Sequence, residues 1–180
     1  MKIYSYTNIN SNLRKIKHPF YPKNITILDL LYFLCAPTLV YEPEFPRTEK
    51  IRWFLLFQNI TLLVIFLFLI DFLIEQYVYP IAVQTSKEVE SFNIFTKLLR
   101  LTVPNITVWI LFFFSFFHLW LNILAEVLRF GDRLFYEDWW NCTSFDFFWR
   151  TWNIPTHVFF YFKKEMVSLP YLQTSYPKWA

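Results

Sequence analysis

The residues with chemical potential gather in two short runs late in the chain. Phe135-Tyr136-Glu137-Asp138-Trp139-Trp140-Asn141 sets aromatic rings beside two carboxylates and an amide, a few residues after Gly131, the only glycine. A core strand would not carry so many charges, and a solvated loop would not present so many large rings. Ring bodies with polar tips are what the boundary between membrane and water selects. The second run, Trp149-Arg150-Thr151-Trp152-Asn153-Ile154-Pro155-Thr156-His157, adds an amide and an imidazole. Of the other histidines, His18 lies in a basic arm and His118 in an apolar stretch. No Ser-His-Asp or Cys-His constellation for a covalent intermediate is present. Cys35 and Cys142 lie far apart without C-x-x-C spacing, so neither a metal site nor a disulfide framework is indicated, and both read as free thiols.

The elements that must position these residues are those of a membrane protein. The 180 residues are 56% hydrophobic and 23% aromatic, with mean hydropathy +0.30, too apolar for an ordinary soluble domain. A net charge of only +3 gives nucleic-acid binding little support. No basic-then-apolar signal peptide opens the chain. Residues 1–23 read as a basic cytosolic arm, polar and Asn-rich, that buries little surface. Residues 24–41 hold an apolar run before Pro37 that is short of the roughly 20 residues a bilayer needs, hence a buried or interfacial helix, opened by a capping-box-like Thr26 and Asp29. Residues 42–48 form a proline-punctuated segment, either a structural loop or a substrate contact.

One span is expected over about 53–79, with Asp71 and Glu75 at an interfacial end or in a polar cavity and Pro80 as its stop. A second is expected over about 95–130, kinked at Pro104. His118 and Asn122, four residues apart, share a helical face and are either a satisfied interhelical pair or functional. This helix should end at Gly131 in the left-handed conformation, leaving Asp132 and Arg133 at the surface. A second capping pair, Thr143 and Asp146, should open an amphipathic helix to Asn153 that Pro155 limits. Phe145, Trp149, Trp152 and Asn153 would share one face, and Asp146 would pair with Arg150. The spacing alone leaves Asn153 as an end-of-helix asparagine or something more. The fold class is all-α: a fragment of a polytopic membrane protein with about two transmembrane helices plus short amphipathic or interfacial helices. Eight basic residues lie between Lys2 and Arg52, three between Lys87 and Arg100, and six from Arg129 onward, which puts both ends and region 131–180 in the cytosol.

Phe135–Asn141 matches the F-Y-x-D-W-W-N signature of the sterol and diacylglycerol acyltransferase branch of the membrane-bound O-acyltransferases, and the chain resembles that family from Tyr21 onward. Ala36-Pro37-Thr38-Leu39 and Phe45-Pro46-Arg47-Thr48 are similar to its APTL and YPR[ST] segments. Ile74-Glu75-Gln76-Tyr77, the run Phe116–Glu126 and Trp149–His157 resemble the type-one diacylglycerol enzymes. The resemblance implies that residues 24–180 are part of such a domain in a multi-pass endoplasmic reticulum membrane protein. Its implied partners are acyl-CoA as co-substrate with no other cofactor, a diacylglycerol or sterol acceptor, the bilayer and a second copy of the chain. It assigns the active-site amide to Asn153, and places Phe135, Tyr136, Asp138, Trp139, Trp140, Asn141, Trp152 and His157 near acyl-CoA, with Lys178 at the CoA phosphates. No metal is implied.

In that chemistry an acceptor hydroxyl attacks the thioester, which needs a base for the hydroxyl proton and a site that excludes water. The family's base is a histidine within Phe-His-Glu, and no such triplet occurs among the 180 residues. The expectation is therefore an incomplete chain that does not turn over alone. A non-catalytic membrane protein from a truncated gene is the rival of another class.

Overall fold

A computed structural model describes residues 1–15, 17–87 and 91–168. Among them the regular elements are helical, with one isolated antiparallel bridge between Arg47 and Phe130. The chain divides into two compact units: Met1–Phe45 with Leu134–Ala180, and Pro46–Arg133.

The first unit contains α1 (Lys2–Lys15), α2 (Ile27–Cys35), α7 (Phe145–Thr151) and α8 (Ile154–Ser168). Its core joins Ile9 and Leu13 of α1 to Phe33, Val40, Tyr41, Phe159 and Phe162. The expected loose arm is thus a helix that belongs to the core. Ser5, Ile9 and Leu13 recur every four residues on its buried face, with Asn10 beside them. The polar ones are satisfied rather than stranded: the Tyr41 N–H donates to Ser5 Oγ at 2.8 Å, and Asn24 Nδ2 donates to Asn10 Oδ1 at 2.6 Å. Lys2 Nζ donates to the carbonyls of Phe33 and Leu34, each at 2.9 Å, and of Ala36. It places a cation where the end of α2 leaves acceptors unpaired. At the start of α2, Thr26 caps the Asp29 N–H at 3.1 Å, as its spacing predicts.

The second unit contains α3 (Trp53–Leu73), α4 (Tyr79–Lys87), α5 (Ser91–Phe113) and α6 (Leu121–Val127), with π-helical turns at Ile74–Val78 and Phe114–Trp120. Trp53–Gln84 and Leu98–Val127 are each long and apolar enough to cross a membrane. The two helices pack on one another, Phe66 meeting Phe114 edge-on at 5.4 Å. Leu56, Asn59, Leu63, Phe66 and Ile70 follow alternating steps of three and four along the less exposed side of α3. Phe54, Phe57 and Phe68 point outward. Large apolar side chains around most of a helix suit a lipid environment rather than water.

Pro80 does not stop the first span. The Tyr79 N–H reaches back five residues to the Ile74 carbonyl. This wider turn relieves the clash a proline ring makes with the preceding turn, and the helix continues to Lys87. The second span ends differently from expectation too. Arg129, not Gly131, takes the left-handed conformation, with φ 55°. The N–H groups of Phe130 and Arg129 close onto the carbonyls of Ala125 and Glu126 at 2.7 and 3.2 Å, a Schellman ending. The strain of a left-handed arginine, of order 1–2 kcal/mol, is offset by its bonds to Thr48, whose N–H meets the Arg129 carbonyl while Arg129 Nε meets the Thr48 carbonyl, both at 2.9 Å. Gly131 serves instead a close approach to Pro46. Its N–H donates to the Pro46 carbonyl at 2.7 Å, and a Cβ there would lie 3.0 Å from that oxygen.

Arg133, expected at the surface, is partly buried and paired with Glu126. The Glu126 side chain is only 2% exposed. It also accepts from the Arg52 backbone N–H at 2.6 Å and from Arg52 Nη2 at 2.9 Å. A buried carboxylate is tolerated when its oxygens are met this fully. Within the same helix, Asn122 Nδ2 donates to the His118 carbonyl at 2.6 Å, a bond along its own helix.

Candidate functional site

All the described candidate residues lie in the first unit. From Leu134 to Asp138 the chain is irregular, then makes a 3-10 turn over Trp139–Asn141 before α7. Helix α7 is capped by Ser144, which accepts from the Phe147 N–H at 3.2 Å. The capping residue is therefore the one after Thr143, and the helix is shorter than the expected 143–153. It stops at Thr151 because Trp152 and Asn153 form a break, with α8 starting at Ile154. Pro155 sits in the first turn of α8, where a missing N–H costs nothing. The Asp146–Arg150 pair forms as its spacing predicts.

Asn153 is the N-cap of α8. Its Oδ1 accepts from the Thr156 N–H at 3.2 Å, and its carbonyl accepts from the His157 N–H at 3.0 Å. Since a backbone N–H can meet only the carbonyl oxygen of an amide, the cap fixes which way the side chain faces and leaves Nδ2 as its donor. His157 follows one helical turn later, half-buried.

Two backbone hydrogen bonds bracket this asparagine. The Glu137 N–H donates to the Thr151 carbonyl at 2.9 Å, and the Ile154 N–H donates to the Phe135 carbonyl at 3.0 Å. They join the aromatic segment to the break between α7 and α8. Both use groups that helix ends leave unpaired, the last carbonyls of α7 and the first N–H of α8.

The rings complete the connection. Tyr136 meets Trp140 at 6.4 Å, Trp140 meets Trp139 edge-on at 5.8 Å, Trp139 meets Phe148 edge-on at 6.0 Å, and Phe148 stacks on Trp152 at 6.5 Å. Phe135 is buried, Tyr136, Trp139, Trp152 and Asn153 are half-buried, and Trp140 is 62% exposed. Burial, with the Asp138 charge behind it, holds the Tyr136 phenol above its ordinary range, so it stays a neutral hydroxyl. Asp138 and Asn141 face solvent and shape the turn, the Asp138 carbonyl accepting from the Asn141 N–H at 3.0 Å. Lys178 lies outside the described residues.

Phe145, Trp149 and Trp152 share a face as their spacing predicts, their rings meeting at 5.8 and 6.1 Å, while Asn153 lies beyond the end of α7. Phe145 and Trp149 point outward, and Phe148 and Thr151 turn inward with Trp152. Phe148, which links Trp139 to Trp152, is the residue the sequence reading missed. Its position four before Trp152 was the available signal.

Residues 3–161 match the model of the MBOAT, membrane-bound O-acyltransferase family. The chain is 44% identical to diacylglycerol O-acyltransferase 1A of Glycine max, over 87% of this chain and 34% of that protein. It is 48% identical to diacylglycerol O-acyltransferase 1-1 of Oryza sativa over 73% of the chain and 25% of the relative. With diacylglycerol O-acyltransferase 1 of Arabidopsis thaliana it shares 38% identity over 99% of the chain and 35% of the relative. The chain spans a quarter to about a third of the length of these curated relatives, with shares of 25%, 34% and 35%. The family match covers both the apolar helices and the aromatic segment joined to Asn153, and this chain belongs to the membrane-bound O-acyltransferase family.

Proposed function

We propose that this chain forms the acyl-CoA-facing part of an enzyme that esterifies diacylglycerol to triacylglycerol, working as a multi-pass protein of the endoplasmic reticulum membrane. The names of the relatives support the reaction class, at 37–48% identity. The observation that carries the site is the bracketing of Asn153 by the two backbone bonds from Phe135 and Glu137.

In this reading the aromatic run from Tyr136 to Trp152 lies along the fatty thioester and keeps water from it. The acceptor hydroxyl attacks the thioester carbon, the carbonyl oxygen gains negative charge, and CoA leaves as its thiol. Asn153 Nδ2 is the donor aimed at that developing charge. The role of general base is not assigned to His18, His118 or His157, and the reading places it outside residues 1–180.

The test supplies labelled oleoyl-CoA to membranes carrying the protein, with diacylglycerol or a sterol as acceptor. Labelled triacylglycerol is expected from the first. Steryl ester instead would transfer the proposal to the sterol acceptor. If neither forms, a photoreactive acyl-CoA added to the 180-residue chain in nanodiscs decides about the site: crosslinks within residues 135–157 retain it, and their absence ends the proposal.

A further inference from the structure

Helix α2 has an outward face that no described residue of its own unit covers. Ile27, Leu28, Leu31, Leu34 and Cys35 recur at i, i+1, i+4, i+7 and i+8, which is one side of a helix. All five are exposed, Ile27 and Leu28 each to 78%. Ile25, just ahead of the helix, is exposed as well. The opposite side is anchored by Phe33, which is fully buried in the core of the unit.

We propose that this face lies in the boundary between headgroups and acyl chains of a bilayer, with α2 along the membrane surface. At nine residues, α2 is about 13 Å long and cannot cross an apolar layer of about 30 Å, so the helix rests on the membrane rather than spanning it. Its stripe is aliphatic apart from the Cys35 thiol, and offers none of the hydrogen-bonding groups that a protein interface normally mixes with apolar ones. The charge on the same unit complements anionic headgroups. Arg14, Lys17 and Lys23 of this unit are exposed, and Lys2, whose ammonium is held by the carbonyls at the end of α2, adds to the positive charge there. Residues 36–52 tether α2 to Trp53, where the first membrane-length helix begins. The proposal is independent of acyl transfer, and its test uses no turnover.

In a Cys35→Ser, Cys142→Ser background, Leu28→Cys and Leu31→Cys variants are spin-labelled and studied in nanodiscs containing anionic lipid. Lys15→Cys serves as the water-facing control. Unchanged helical circular dichroism establishes that each variant is folded, and two positions are used so that either one suffices. Collisions with dissolved oxygen should exceed those with a soluble nickel chelate at 28 and 31, and the depth should be about 5–10 Å below the phosphates. At position 15 the order should reverse. Dominant nickel collisions at 28 and 31 would overturn the proposal by leaving the face in water, and suppression of both kinds would overturn it by showing a protein cover.

Discussion

At Asn153 one side chain holds one job and is proposed for a second, and the two can be separated. Its oxygen caps α8 through the Thr156 N–H, and its Nδ2 is the donor assigned to the thioester oxygen. Aspartate caps as well as asparagine, and a helix N-terminus favours its charge. Asn153→Asp in the active enzyme should therefore keep the thermal unfolding midpoint but lower acyl transfer by about 10²–10³, the usual loss for one such donor. Asn153→Ala should lower both, losing about 1 kcal/mol of stability with the cap. Parallel melting curves and rates of triacylglycerol formation read the two effects, and full activity in the aspartate variant would remove the donor role. The spacing left Asn153 as an end-of-helix asparagine or something more; it begins the next helix rather than ending one, and the donor role remains the proposal. Glu126 had the same difficulty. A carboxylate near the end of an apolar run marks a boundary, but its partners Arg52 and Arg133 are 74 and 7 residues away. No local pattern pairs them.

Among the elements, helix starts were legible where one capping residue stood alone and ambiguous where two stood together. Thr26 caps α2 as its spacing predicts, whereas Thr143 and Ser144 are adjacent and only the geometry chooses Ser144. Ser144→Ala should cost about 1 kcal/mol and speed hydrogen exchange at the Phe147 amide, while Thr143→Ala should leave both nearly unchanged. Equal effects of the two changes would assign the cap wrongly. Pro80 teaches a related lesson. A proline ends a regular α-helix, but the five-residue bond from Tyr79 to Ile74 lets the chain pass through it.

For the whole molecule, the segments at both ends of the chain fold into one unit, with the two membrane-length helices in the other. That makes the N-terminal helix part of the body that carries Asn153. Ile9→Ala and Leu13→Ala should each destabilise this unit by about 2–5 kcal/mol, as core truncations do. Limited proteolysis in nanodiscs should then cut α1, α7 and α8 sooner while α3 and α5 stay protected. A solvated arm would show effects within about 0.5 kcal/mol, and that outcome would detach α1 from the core.

The two apolar helices, the Thr26 cap, the Asp146–Arg150 pair and the aromatic run from Phe135 to Asn141 were readable in the chain. Each is a matter of length, spacing or composition inside a window of a few turns. The burial of an Asn-rich helix, the left-handed Arg129, the close approach of Gly131 to Pro46 and the joining of the aromatic run to Asn153 were not. In each, a polar or backbone group finds its partner across a long stretch of sequence, as Asn10 does with Asn24 and Gly131 does with Pro46. Such a group looks solvent-bound in sequence because its desolvation is offset only by a partner that folding brings to it.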